Sequence, residues 1–348
     1  MKDFYRGKTV LVTGHTGFKG SWLCEILIEM GADVIGYALE PNTTPSLFNI
    51  TNLSQRMTSY IGDIRDFDYL YQVFEKEQPE IIFHLAAQPI VLESYQNPKY
   101  TYETNVMGTV NLLECVRLTS SVKSVINVTT DKVYLNNEWV YGYRESDCLN
   151  GFDPYSNSKS CSELVTSSYI NSYFYQMKLP VSTCRAGNVI GGGDFANNRI
   201  LPDCVRAMQK GKNIQVRNPN SIRPYQHVLE PLYAYVLIAM KQYYDYSLAG
   251  NYNIGPNEND CINTGTLATL FCGAWGDNSK WSSIDKNGPH EANFLKLDCS
   301  KLKSTFMWEP KTDVSKAINM TVEWAKAFLS KSDYNEIMIK QIKEFMEE

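Results

Sequence analysis

In the first half of the chain, short runs of β-branched and apolar residues alternate with segments whose apolar positions recur at helical spacing. The runs at 9–13, 33–39, 81–86, 125–130 and 181–186 read as strands. Between the first two, Leu23, Ile26, Leu27 and Met30 fall on one face of a helix that Gly31 ends. Further helices are predicted over 67–77, around 98–119 and from 155 to about 176. Strand and helix in alternation is the pattern of βαβ units, so the predicted fold class is α/β, a doubly wound and mainly parallel sheet. After Gly187 the pattern changes to Gly191-Gly192-Gly193-Asp194, then Arg- and Pro-containing segments and short mixed elements. We therefore expect residues 1–186 to carry the sheet and 187–348 to form a smaller C-terminal lobe. Nothing between 185 and 260 resembles a flexible linker, so the boundary is expected to be soft and the lobes interleaved.

A length of 348 residues suits two such lobes, and 43% hydrophobic with 20% charged residues is ordinary for a globular enzyme. With 38 acidic against 33 basic residues the net charge is −5, which argues against a general nucleic-acid or anionic-membrane binder. Any basic site must be local. The Met1-Lys2-Asp3-Phe4 start lacks an apolar signal region, and no apolar run approaches the ~18 residues of a membrane span, so a cytoplasmic address is expected. Nine cysteines, scattered from Cys24 to Cys299 without a CxxC pair, are expected to be reduced, with neither a disulfide framework nor a metal site.

Directly after the first strand stands Gly14-His15-Thr16-Gly17-Phe18-Lys19-Gly20, with glycine at every third position, opening onto the first helix. Glycine permits the tight turn and lets the backbone and helix N-terminus approach a pyrophosphate, so the context marks a Rossmann-type dinucleotide site. Gly14, His15, Gly17, Phe18, Lys19 and Gly20 are its candidate contacts. His15 and Lys19 are unusual in such a loop: either they add charge near the phosphates, or they are a packing histidine and a surface lysine. The acid that closes the second strand and binds the adenosine ribose would fall near Ala38, and the nearest acid is Glu40, so this strand leaves NAD and NADP both open. Asp63, followed by Ile64, is either an adenine contact or a turn-forming residue. Leu85-Ala86-Ala87 closes another strand at its C-terminal end, where ligands of open α/β sheets lie, and small residues there let a nicotinamide ribose sit close.

Tyr155-Ser156-Asn157-Ser158-Lys159 puts a phenol and an ammonium four residues apart on one helix face. A neighbouring cation favours the phenolate, so the Tyr155 pKa is expected to fall, fitting it to take a proton from a sugar hydroxyl as hydride leaves for the cofactor. Thr129-Thr130 at the end of a predicted strand completes the constellation.

On these motifs the chain resembles the extended short-chain dehydrogenases/reductases, with Thr130, Tyr155 and Lys159 as their triad, and within them the CDP-glucose 4,6-dehydratase group. The likeness also rests on His84-Leu85-Ala86-Ala87-Gln88-Pro89, Gly142-Tyr143-Arg144-Glu145, Asp153-Pro154-Tyr155-Ser156, the run from Arg185 to Asp194, and the run from Arg223 to Leu232. Related dTDP-glucose enzymes carry Asp-Glu after the threonine, whereas Asp131-Lys132 is the form of the CDP-glucose group. The resemblance implies an NAD-dependent lyase of deoxysugar and polysaccharide biosynthesis that converts CDP-glucose to CDP-4-keto-6-deoxyglucose. Tyr155 would serve as base in oxidation at carbon 4, and water would leave across carbons 5 and 6 before the hydride returns to carbon 6. Asp131 is then the acid, and Lys132 either the base at carbon 5 or an electrostatic stabiliser of the enolate.

Substrate contacts implied by the resemblance are Gln88, Asn188 beside the glycines 191–193, and Arg223, whose planar fork suits a diphosphate. Arg199 and Arg217 serve likewise or form surface salt bridges. His290-Glu291 resembles a pair in the family's C-terminal lobe, with capping or packing as its other reading. Helices near 98–119 and 155–176 match the pair that forms a dimer bundle in relatives, implying a homodimer. Two further readings stay open: a dehydratase or epimerase of another nucleotide sugar, and a cofactor-sensing regulator that has lost the reaction.

Overall fold

The structure is a computed structural model that describes residues 1–277, 279–284 and 294–347; His290 and Glu291 lie outside the described residues. Its centre is a seven-stranded parallel sheet of β1 (Thr9–Thr13), β2 (Asp33–Ala38), β3 (Thr58–Ile61), β4 (Ile81–His84), β5 (Ser124–Val128), β6 (Val181–Ala186) and a strand from the second half of the chain, Asn251–Ile254. The spatial order runs 3-2-1-4-5-6 and then Asn251–Ile254, which pairs in parallel with β6. The direction of winding reverses between β1 and β4, where Val10 faces Ile81 and Thr13 faces His84 across the ladder. Strands β4, β5 and β6 are buried at every position, as helices on both faces of a parallel sheet require.

The helices that position the site are α1 (Phe18–Glu29), α2 (Phe67–Glu77), α3 (Pro98–Tyr102), α4 (Gly108–Leu118) and α5 (Pro154–Tyr169). On one face α1 buries Trp22, Leu23, Ile26 and Leu27 against Val10, Val12 and Phe83. On the other, Leu70, Phe74, Leu112 and Val116 close over Leu11, Ile82 and Val125. Each fully buried side chain of this kind contributes roughly 1.5–3 kcal/mol.

Several expectations needed correction at their edges. The run 33–39 ends at Ala38 and the run 125–130 is the strand Ser124–Val128. The run 81–86 pairs only to His84: the Leu85 amide still reaches the Thr13 carbonyl at 3.1 Å, but the Ala86 amide turns to the Thr13 hydroxyl at 3.2 Å. The helix expected over 98–119 is α3 and α4 joined by a π turn at Glu103–Met107, and α5 likewise ends in a π turn at Ile170–Phe174.

The remaining strands are short: β7 (Val189–Ile190), β8 (Ile214–Val216), β9 (Ile222–Pro224), β10 (Gln226–His227), β11 (the sheet strand Asn251–Ile254), β12 (Cys261–Asn263) and β13 (Trp281–Ser283). They pair two by two, β7 with β10, β9 with β12 and β8 with β13. Helices α6 (Ile200–Gln209), α7 (Leu229–Tyr244), α8 (Thr264–Trp275) and α9 (Val314–Leu329) accompany them. Leu201, Ile214, Val216, Phe271, Trp275 and Ile318 form the core of this smaller layer. Helix α7 packs back on the large sheet, so residues after 187 cover one of its faces and extend its edge. Among the described residues no helix is long and apolar enough to cross a membrane.

Candidate active site

The crevice at the C-terminal ends of β1 and β4 is where an open α/β sheet takes its ligand. Gly14 sits at φ +76°, and a Cβ there would lie 2.8 Å from the Ala86 nitrogen. At Gly20 a Cβ would come within 2.1 Å of the Gly14 carbonyl oxygen, so glycine is what lets α1 start so close to β1. Gly17 is the N-cap of α1 and no side chain caps it, which leaves first-turn amides for an anion. A dinucleotide's pyrophosphate fits this cradle. Phe18 begins the helix and packs against the core, and Leu85, Ala86 and Ala87 line the facing loop, part-buried.

His15 is a packing residue. Its Nε2 pairs with the Ser59 hydroxyl at 2.7 Å, its ring covers Gly36, and burial pulls its pKa down to about 4, so it is neutral. Lys19 turns into the site, its Nζ 5.9 Å from the Tyr235 ring centre. Burial and the Arg199 charge pull its pKa down to about 8, with Asp131 opposing. The Asp63 carboxylate, just past β3, is engaged by Arg65 through the backbone amide at 2.9 Å and the guanidinium at 2.6 Å. Ile64 is buried against Gly108.

Gln88 turns inward. Its Nε2 donates to Thr101 at 2.9 Å and its Oε1 accepts from the Ile90 amide at 2.6 Å, so both ends of the side chain shape the loop. Asn105, in the π turn, clamps the same loop, accepting from the Gln88 amide at 2.8 Å and donating to the Gln88 carbonyl at 3.1 Å and to Ser158 at 2.9 Å.

Thr130 leaves β5 in extended conformation and caps the turn Asp131–Val133. Helix α5 begins at Pro154, with Asp153 as its N-cap accepting from the Ser156 amide at 3.0 Å. This start fixes Tyr155 and Lys159 one turn apart facing the end of β5, where Lys159 Nζ donates to the Val128 carbonyl at 3.1 Å. The phenol of Tyr155 behaves contrary to the sequence expectation. Burial pushes its pKa up to about 12, with Thr130 hydrogen bonding and Arg199 opposing, and desolvation outweighs any help from the lysine. Burial and the nearby Lys19 charge pull Lys159 down to about 8.

Asp131 is 1% exposed. Its Oδ1 accepts from the Thr130 hydroxyl at 3.0 Å, while Oδ2 is buried with no hydrogen-bond partner among the described residues. Burial raises its pKa although Lys132, Thr130, Arg223 and Lys19 all oppose. The carboxyl therefore holds its proton more firmly than an exposed aspartate does. Lys132 is part-buried beside it.

Of the four other residues expected at the substrate, Arg223 is buried on β9 with Nη1 donating to the Ile222 carbonyl at 2.9 Å, and its charge reaches Asp131. Arg199 pairs with Asp194 at 3.0 Å while its charge reaches Lys19 and Tyr155. Arg217 is farther out, donating to the Asn198 carbonyl at 2.9 Å. Asn188 is part-buried between β6 and β7 and accepts from the Gln226 amide at 3.1 Å. The structure thus gathers Thr130, Asp131, Tyr155, Lys159, Lys19, Arg199 and Arg223 into one electrostatic neighbourhood.

Sequence reasoning missed the residues that align these parts. Glu163, one turn beyond Lys159, accepts from Thr129 at 2.6 Å and pairs with Arg185 of β6, while Arg185 also donates to Tyr134 at 2.7 Å and to the Glu145 carbonyl at 3.0 Å. The helical spacing from Lys159 was the available signal for Glu163.

The family described as GDP-mannose 4,6 dehydratase matches residues 11–321 of the chain. A CDP-glucose 4,6-dehydratase of Salmonella typhimurium is 46% identical over 99% of this chain and 98% of its own length. Among solved structures, a UDP-glucose 4-epimerase of Thermotoga maritima with UDP-glucose superposes with a TM-score of 0.80 at 25% identity, covering 92% of this chain and 99% of its own. A Thermus thermophilus UDP-glucose 4-epimerase in complex with NAD gives 0.79 at 25% identity, covering 91% and 98%.

Proposed function

The chain belongs to the GDP-mannose 4,6 dehydratase family, and on that premise we propose that it is an NAD-dependent hydro-lyase converting CDP-glucose to CDP-4-keto-6-deoxyglucose. The observation that carries dehydration rather than epimerisation is the enclosed Asp131 carboxyl beside the Tyr155–Lys159 pair. An epimerase needs only the ketone, whereas loss of water from carbon 6 needs an acid at the leaving hydroxyl, and Asp131 is a buried carboxyl whose pKa burial raises. The base and hexose follow the Salmonella relative.

In this reading Gly14, Gly17, Gly20 and the first-turn amides of α1 hold the pyrophosphate, and Leu85, Ala86 and Ala87 flank the nicotinamide half. NAD held there would supply the acceptor for the carbon 4 hydride and the donor of that hydride to carbon 6. Against the burial that favours its phenol, the Thr130 hydroxyl, the Arg199 charge and the Lys159 ammonium favour the Tyr155 phenolate, and it is as phenolate that Tyr155 takes the proton of the carbon 4 hydroxyl. The ketone acidifies carbon 5. Lys132 takes its proton as base and then faces the enolate as an ammonium, and the carbon 5–hydrogen electron pair becomes the carbon 5–carbon 6 double bond as Asp131 gives its proton to the carbon 6 hydroxyl, the carbon–oxygen bond breaks and water leaves. When hydride returns to carbon 6 that double bond opens, and carbon 5 takes back the proton from Lys132. Arg223, with Arg199, grips the diphosphate through its planar fork, and Asn188 lines the sugar.

Residues 1–186 are taken as the cofactor lobe and 187–348 as the substrate lobe, with β11 re-entering the first. The proposal includes a cytoplasmic homodimer paired through α4 and α5, where Met107, Leu118 and Leu164 stand exposed at 50%, 44% and 57%. The test is mass spectrometry of the protein incubated with NAD and, separately, CDP-glucose, dTDP-glucose, UDP-N-acetylglucosamine and GDP-mannose. Loss of one water from CDP-glucose alone is expected. Water loss from another donor replaces the substrate, and no change in any donor returns weight to a cofactor-binding regulator.

A further inference from the structure

The partnerless oxygen of Asp131 has an unusual wall. Gly187, between β6 and β7, is buried, and a Cβ placed there would lie 3.0 Å from Asp131 Oδ2 and 2.7 Å from Pro224 Cγ. Its φ is not in the left-handed region, so the backbone tolerates other residues and only space requires glycine. Pro224 is the last residue of β9, next to Arg223, and is held from behind by Cys261 of β12 across the antiparallel ladder. The Asp131 charge reaches that ladder: burial pushes the Cys261 thiol up to about 11, Asp260 and Glu258 add to it, and Asp131 adds the least. Three separate pieces of chain therefore meet at one point: the turn carrying Asp131, the loop after β6, and the arm carrying Arg223.

We propose that Gly187 is a positioning residue for Asp131, its missing side chain letting Pro224 and the free carboxyl oxygen share one corner and so fixing the acid relative to the arm that carries Arg223. The proposal rests on the reading of Asp131 as the acid of dehydration. A methyl at position 187 must displace either the ring or the carboxyl. The ring is backed by a ladder and the carboxyl is tied only to Thr130, so the carboxyl gives way. Oxidation at carbon 4 uses Tyr155 and Lys159 on α5, a separate segment from the turn that carries Asp131.

The experiment compares Gly187→Ala, Pro224→Gly and the double variant with the wild-type chain on CDP-glucose and NAD. Rapid mixing reads the absorbance of reduced cofactor, and mass spectrometry reads the dehydrated sugar. Gly187→Ala is expected to slow elimination roughly tenfold while oxidation stays near the wild-type rate, so reduced cofactor accumulates. Pro224→Gly opens the same corner from the opposite side and is expected to slow elimination too, which reads the proposal even where Gly187→Ala does not fold. In the double variant the added methyl fills the room left by the ring, so much of the elimination rate returns. A merely structural glycine predicts losses that fall equally on both half-reactions and add up in the double variant; that result, or elimination at the wild-type rate in Gly187→Ala, overturns the proposal. Failure of the wild-type chain to dehydrate CDP-glucose or any other donor overturns instead the functional reading on which it rests.

Discussion

The Glu163 carboxylate and the Arg185 guanidinium meet at 2.5 Å with both side chains 2% exposed or less, tying the helix of Tyr155 and Lys159 to strand β6. Glu163 also accepts from Thr129, the residue before Thr130, so one buried ion pair sets the catalytic helix against the strand end that faces it. Removing one partner of such a pair leaves a charge buried alone and costs about 3–5 kcal/mol. Glu163→Gln is expected to lower the unfolding free energy by that amount, seen as a lower urea midpoint at an unchanged slope, and Glu163→Gln with Arg185→Met to recover part of it. Urea unfolding of the three chains checks this; a double variant no better than the single one removes the pair from the account.

What the sequence made legible follows distance along the chain. The glycine loop, the Tyr155–Lys159 spacing and the strands 9–13 and 181–186 are local patterns, and the structure keeps them. Glu163 stands at helical spacing from Lys159, but its partner Arg185 lies 22 residues on in another strand, and pairing across that separation has no local signature. Gln88 was expected at the substrate from the family resemblance; Asn105, in a π turn that no periodicity reveals, holds its backbone while Thr101 and the Ile90 amide turn its side chain inward. Tyr155 was expected with a lowered pKa from its neighbour's charge, yet the larger influence is burial, which depends on the whole fold. For His15 the sequence left a phosphate contact and a packing role both open, and Gly36, on the next strand and under its ring, favours packing.

Tyr155→Phe removes the phenol oxygen and leaves the ring that packs beside Thr130. Turnover of CDP-glucose is expected to fall by about 10²–10⁴-fold, the usual worth of a positioned proton acceptor. Affinity for the nucleotide sugar, measured by calorimetry, is expected to stay near the wild-type value. A large loss of binding contradicts the role given to Tyr155.

Three histidines are buried and neutral: His15 with a pKa of about 4, His84 and His227 with values of about 3, all lowered by burial. In the unfolded chain each takes up a proton below about pH 6.5. Between there and the folded values the unfolded state binds more protons, so the stability is present above pH 6.5 and is lost as pH falls. Each histidine contributes a slope of about 1.4 kcal/mol per pH unit. Urea unfolding at pH 7, 6 and 5 is expected to show the decline, and His227→Asn to reduce its steepness by about one proton; an unchanged slope in that variant contradicts the assignment.

Asp131→Asn separates the two halves of the proposed reaction. The amide oxygen keeps an acceptor for the Thr130 hydroxyl, which bonds Oδ1 at 3.0 Å, but the group has no carboxyl proton to give a leaving hydroxyl. Oxidation at carbon 4 uses Tyr155 and Lys159 and is left alone. On rapid mixing with NAD and CDP-glucose, absorbance of reduced cofactor is expected to rise and persist, while water loss read by mass spectrometry falls by about 10²–10⁴-fold. Lys132→Met is the companion: it leaves Asp131 its proton, so elimination slows only as far as the ammonium takes part at carbon 5. If Asp131→Asn loses oxidation and elimination in equal measure, the acid lies elsewhere and the enclosed carboxyl serves the fold. If elimination alone is lost, the enclosed Asp131 carboxyl is the acid of dehydration, and its place beside Tyr155 and Lys159 is what distinguishes this site from one that stops at the ketone.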